Sequence, residues 1–208
     1  MTDKGVAVKT FSFLLATMAV YFLLWQAFSL YFELPVYYYG RLIELLAILL
    51  FALLALTTPM RFENMGILVP RGVLFRSLAV GGAVSLGFTL LLATVAALMG
   101  KTPLFSLAVR GDISRVTYVL VAPMQEVLSK SVMYYSFELC LEEKHPRITN
   151  LLCALTFAVF HVVYGLQMML LAMALSLITG WIFQRIRCVW GCAVIHFALG
   201  FFPRCFGF

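Results

Sequence analysis

The stretch VTYVLVAPMQEVLSKSVMYYSFELC, residues 116–140, decides how the chain is read. It is apolar over the length of a bilayer-crossing helix, which needs about 20 residues with a range of roughly 17–25. Its middle nevertheless carries Gln125, Glu126 and Lys130. Lipid offers no water to solvate a charge, so an ionisable group at membrane depth costs on the order of several kcal/mol and by default marks a working site. On a helix Glu126 and Lys130 stand at i and i+4 with the acid N-terminal, the favourable order for a pair that eases the burial of both. Gln125 points roughly 100° away from Glu126. Pro123 lacks an N–H, so a kink or loosening of the helix is predicted beside this cluster.

The rest of the chain supports a membrane setting. Of 208 residues, 63% are hydrophobic and 12% charged, and the mean hydropathy is +1.02. An average soluble domain is roughly 45–50% apolar and about 25% charged. The prediction is an all-α polytopic transmembrane bundle of about seven spans, at 11–32, 42–58, 77–99, 116–140, 149–164, 166–184 and 188–203. Residues 1–208 are read as a single integral membrane domain, with no soluble domain beside it. The run from Phe11 to Phe32 is too long for a signal-peptide core and lacks a small-residue cleavage site, so it reads as a retained first span. Gly165 separates the fifth span from the sixth, and Arg185-Ile186-Arg187 the sixth from the seventh. Gly81, Gly82 and Gly87 place small residues in span three, where helices can approach closely.

The net charge of +6 is spread over short loops. Positive-inside topology and anionic lipid account for it, and nucleic acid is not an expected partner. Lys4, Lys9, Arg61, Arg71, Arg76, Lys144, Arg147, Arg185 and Arg187, nine in all, fall on one side. Arg41, Lys101, Arg110, Arg115 and Arg204 fall on the other, and Lys130 lies within a span. That bias predicts a cytoplasmic N-terminus, and a bacterial inner (cytoplasmic) membrane is the expected location. Five cysteines, an odd number mostly within apolar stretches, point to small buried hydrophobes rather than a disulfide framework.

Two later spans each carry one histidine. In LTFAVFH, residues 155–161, Phe157 precedes His161 by one turn on the same face. His196 lies in WGCAVIHFALG, residues 190–200. Three helices could therefore offer Glu126, His161 and His196 to one cavity. Two histidines and a carboxylate are also a zinc set with a fourth position for water. No His-Glu-x2-His helix is present, however, and the three stand on three different spans. Water activation without a metal or other cofactor is the preferred expectation.

The order of an acidic motif, Phe-x3-His and a late His-x3 motif resembles the CPBP family of intramembrane proteases, over about residues 114–203. The family includes CAAX prenyl endopeptidases and bacteriocin-processing or immunity proteins. Its motifs are Glu-Glu-x3-Arg, Phe-x3-His and His-x3-Asn or Asp. Here Gln125 stands at the first Glu, Glu126 at the second and Lys130 at the Arg. Phe157 and His161 match the second motif, His196 matches the third, and Gly200 stands where Asn or Asp is found. In the family the first Glu and the histidine of the second motif are thought to activate water, and the third motif to stabilise the oxyanion.

The resemblance implies an endopeptidase acting on a membrane-associated or exported peptide. Glu126 would be general base or base-orienter, His161 would position the water and His196 would stabilise the oxyanion. Gln125 would add a hydrogen bond and Lys130 would hold Glu126 ionised. The departures weigh against this. An amide cannot accept a proton as a carboxylate does, Lys lacks the bidentate grip of Arg, and the loss of one oxyanion donor costs about 10²–10³ in rate. Either Glu126 has taken over as base, or the chain is a catalytically degenerate relative that binds and modulates a peptide or partner protein. Small-solute transport is a third reading, without the repeat symmetry or paired broken helices it would need. At about 1.5 Å per residue, Glu126 lies roughly 15 Å below the outer surface, His161 roughly 5 Å and His196 roughly 9–10 Å. A cavity opening away from the cytoplasm is therefore expected.

Overall fold

The computed structural model describes residues 3–31, 36–57, 61–101, 113–141 and 144–208. Among them the chain is all-α, as predicted, with no strand, and residues 61–70 form turns between α2 and α3. The helices are α1 Asp3–Tyr31, α2 Val36–Thr57, α3 Arg71–Leu98, α4 Ile113–Glu126, α5 Tyr135–Cys140, α6 Pro146–Val159, α7 Leu166–Ile186 and α8 Val189–Cys205. A π-helical segment, Val127–Tyr134, joins α4 to α5 without a break, and a 3₁₀ turn, Val162–Tyr164, follows α6. Lys4–Tyr31, α3 and α7 are long and apolar enough to cross a membrane, and α6 and α8 are shorter apolar helices. The outward faces bear large apolar side chains, Leu23, Phe75, Leu86, Leu90 and Leu171 among them. This is the arrangement of an integral membrane protein, with lipid as the solvent of those faces.

The π-helical segment, α6, α7 and α8 form the centre. The helix α3 lies along α8, α6 along α7, and α4 against α8, while α1 covers α5 and α2. The α3–α8 contact is made by small residues. A Cβ on Gly81 would stand 2.5 Å from the carbonyl oxygen of Gly191 and 2.9 Å from its Cα. Ser77 Oγ accepts from the Gly191 N–H at 3.0 Å and Ser85 Oγ donates to the Val194 carbonyl at 3.3 Å. Of the three span-three glycines, Gly81 alone serves close approach, because Gly82 and Gly87 face open space.

Both short separators do what their sequence suggests. Gly165 takes φ 90°, ψ 169°, a conformation for glycine, and sets α7 off from the 3₁₀ turn. Arg187 closes α7 in the left-handed region at φ 53°. Its guanidinium grips both carboxylate oxygens of Glu138, with Nη1 donating to Oε2 at 2.7 Å and Nη2 to Oε1. The cysteines form no disulfide, and Cys153, Cys188, Cys192 and Cys205 are buried whereas Cys140 is exposed.

Candidate functional site

Pro123 opens the last turn of α4, and the ladder widens to π geometry from Val127 onward. The predicted loosening thus takes the form of a π segment, a distortion found mostly at functional sites. It directs consecutive polar residues to different neighbours. Glu126 is fully buried at the end of α4, and its Oε1 lies 3.0 Å from Nδ1 of His196 on α8, which is 3% exposed. Oε2 is sealed from solvent with no hydrogen-bond partner among the described residues.

Lys130, also fully buried, does not make the expected ion pair with Glu126. Its Nζ donates to Ser176 Oγ at 2.8 Å, to the Ser176 carbonyl at 2.9 Å and to Ser129 Oγ at 3.1 Å. The two oxygens of Ser176 on α7 and Ser129 Oγ satisfy the ammonium, while His196 takes Oε1 of Glu126. The three acceptors of Lys130 take up all three ammonium protons. Ser129 extends the cluster to α6 through Cys153, whose thiol donates to the Ser129 carbonyl at 3.1 Å. Gln125 is half-buried and makes no side-chain hydrogen bond among the described residues.

His161 lies beyond the end of α6, at φ −98°, ψ 6°, rather than within a span helix. Its Nδ1–H donates to the Phe157 carbonyl at 2.8 Å, so the side chain caps the helix that the backbone has left. With Nδ1 protonated for that bond, Nε2 carries the lone pair. The ring packs on Phe157 with centroids 4.7 Å apart, and Phe157 meets His196 edge-on at 5.8 Å. Phe157 thus touches both imidazoles. The two histidines and Glu126 are brought into one neighbourhood, although only Glu126 and His196 touch. No group of three His, Cys, Asp or Glu side chains is gathered among the described residues as a metal would require.

An apolar groove of about 430 Å³ runs between α3, α4 and α8, and its lining includes none of Glu126, His161 and His196. Leu74 and Leu78 of α3, Val119 and Pro123 of α4, and Ala193 and Phe197 of α8 line it. Sequence reasoning missed two polar neighbours. Ser176, the acceptor of Lys130, sits in an apolar span with nothing local to single it out. Tyr118, whose ring stands edge-on to His196 at 6.1 Å, reads locally as one more apolar-span aromatic.

Residues 113–202 match the family model described as type II CAAX prenyl endopeptidase Rce1-like. The match runs from the start of α4 into α8 and so takes in Glu126, His161 and His196. No curated protein and no solved structure matches the chain. That match, with the Phe-x3-His and His motifs inside it, supports membership of the CPBP family, which holds CAAX-type intramembrane proteases and related membrane proteins.

Proposed function

We propose that the chain is an intramembrane endopeptidase hydrolysing a bond in a membrane-associated peptide, with the buried Glu126–His196 contact as the observation that carries the reading. A carboxylate accepting from Nδ1–H fixes the imidazole tautomer and leaves Nε2 as the base. Glu126 is then the base-orienter, and His196 takes the role of base in place of the oxyanion role expected for it. His196 Nε2 takes a proton from water as the water oxygen bonds to the peptide carbonyl carbon. The carbonyl π pair moves to oxygen. As the tetrahedral intermediate collapses the C–N bond breaks, and the imidazolium returns its proton to the leaving amine. The products are a carboxylic acid and an amine, and both histidines end as they began.

His161 Nε2, with its lone pair fixed by the Phe157 cap, accepts from the same water and positions it. Lys130 stiffens the segment that carries Glu126 rather than bonding to it. The apolar groove receives the lipid-like or helical part of the substrate, since it has no charged side chain to reject one. The N-terminus is placed in the cytoplasm of a bacterial inner membrane, with the site opening to the opposite side. Labelling of single cysteines near the site by a membrane-impermeant thiol reagent from the cytoplasmic side alone would reverse that orientation.

The runner-up is a non-catalytic relative that uses the same groove to bind and modulate a peptide or partner protein. The amide at Gln125, where the family has a carboxylate, favours it. Purified protein in detergent, presented with a farnesylated CAAX peptide, separates the two by mass spectrometry of the products. Cleavage by the wild type and its loss in Glu126→Gln, His161→Asn and His196→Asn is the expected result. No cleavage, or equal cleavage by all four proteins, leaves the binding role.

A further inference from the structure

We infer that Tyr118 supplies the hydrogen-bond donor that position 200 lacks, its phenol O–H facing the scissile carbonyl oxygen as it becomes an anion. This rests on the peptidase reading above. Gly200 follows His196 by four residues on α8, so the two share a face. A side chain at 200 would extend into the space beside the imidazole, and in this chain that space is filled. A Cβ on Gly200 would collide with the Tyr118 hydroxyl, and would stand 2.5 Å from Cζ and 2.7 Å from Cε1. The glycine therefore is the gap in which a phenol from α4 has been placed, rather than a side chain simply missing.

The phenol is held as a donor needs to be. Its ring stands edge-on to His196, at 6.1 Å and 69°, and tilted against Phe197 at 6.1 Å. Two aromatic neighbours on the helix that carries the base thus fix the ring and the position of its hydroxyl oxygen. The hydroxyl has no hydrogen-bond partner among the described residues, so its proton is uncommitted. Tyr118 is half-buried while Gly200 is exposed, so the O–H stands where the closed Glu126–His196 pair meets an approachable surface. Arg204 and Glu126 are the charged groups whose fields reach it.

The chemistry needs this group. With His196 occupied as base, the electron pair displaced onto the carbonyl oxygen requires a separate donor. A phenol keeps its proton at neutral pH and donates without transferring it. Tyr118 begins and ends the cycle protonated, so the balance of the hydrolysis is unchanged.

Tyr118→Phe keeps the ring and both aromatic contacts and removes only the O–H. On a farnesylated CAAX peptide, kcat is expected to fall about 10²–10³-fold with KM unchanged, the effect of losing one oxyanion donor. A phosphonate analogue of the same peptide, which presents tetrahedral anionic oxygens, should bind Tyr118→Phe at least about 10²-fold more weakly than wild type, with the uncleaved peptide bound equally. Tyr118→Ala combined with Gly200→Asn, which returns a donor from α8, should recover at least about tenfold in kcat over Tyr118→Ala alone. Wild-type kcat and phosphonate affinity in Tyr118→Phe would overturn the role of Tyr118 and leave the peptidase standing. So would a rise in KM alone. A wild type that neither cleaves the peptide nor binds the phosphonate would overturn both.

Discussion

Lys130 reaches across to Ser176 on α7, meeting its hydroxyl at 2.8 Å and its carbonyl at 2.9 Å, and so ties the π-helical segment to the centre of the bundle. A buried ammonium whose three protons all have acceptors is tolerable at membrane depth, and one that loses them is not. Lys130→Met and Ser176→Ala should each lower unfolding stability. In a double-mutant cycle the two should couple by about 1.5–3 kcal/mol, the range for a hydrogen bond to a charged group. Independent effects, measured by denaturant unfolding in detergent, would mean that the clamp is not what holds the segment.

That contact also marks how far the sequence could be read. The helices were legible from apolar run length, and the two separators from Gly165 and Arg187, since membrane spans, helix breaks and left-handed caps are local properties. The distortion beside the cluster was legible at Pro123, but its π form was not. Lys130 turns from Glu126 to Ser176, a residue 46 positions away, which only the packing of α7 reveals. The pairing of Glu126 with His196, 70 positions apart, depends on α4 packing against α8. Motif order places both residues in one cavity, and it says nothing about which of two histidines the carboxylate will meet. Tyr118 was hidden for the same reason, since a glycine at 200 shows a loss and does not point to what fills it.

Glu126→Gln tests the proposed dyad with the least disturbance of shape. The amide can still accept at one atom but carries no charge to stabilise an imidazolium, and its NH₂ can instead stabilise the wrong tautomer. The expected loss in kcat is about 10³–10⁴-fold, with the fold retained. His196→Asn should fall to the same floor, and the double variant no lower, because members of one unit are not additive. A double variant clearly worse than either single one would show that Glu126 acts on its own, as a direct base on water.

The glycines of α3 give a prediction about packing alone. Gly81→Ala drives a methyl group into the Gly191 backbone, and Gly191→Ala drives one into the Ser77 backbone and hydroxyl, where the backbone cannot yield. Each should cost about 1–3 kcal/mol. Gly82→Ala and Gly87→Ala meet nothing within 4 Å, and should be neutral or stabilising by up to about 1 kcal/mol, since alanine is the better helix former. Thermal unfolding of the four variants in one detergent checks the contrast. Equal losses at all four positions would refute close approach at Gly81 as the contact between α3 and α8.

His161 separates a structural from a catalytic role by magnitude. Its Nδ1–H bond to the Phe157 carbonyl is a helix cap at a half-buried position, so its loss should cost about 0.5–1.5 kcal/mol of stability. Nε2 is the atom assigned to the water, and losing a group in that role lowers turnover by about 10²–10⁴-fold. His161→Phe keeps the aromatic contact with Phe157 at 4.7 Å and removes both nitrogens. It should therefore remain folded to within a few degrees of the wild-type melting temperature while cleavage of the farnesylated peptide disappears. His161→Asn, which can still donate to the Phe157 carbonyl, should recover the stability and none of the activity. If Asn restored both, the residue would be a cap whose only service to catalysis is to end α6 in the right place.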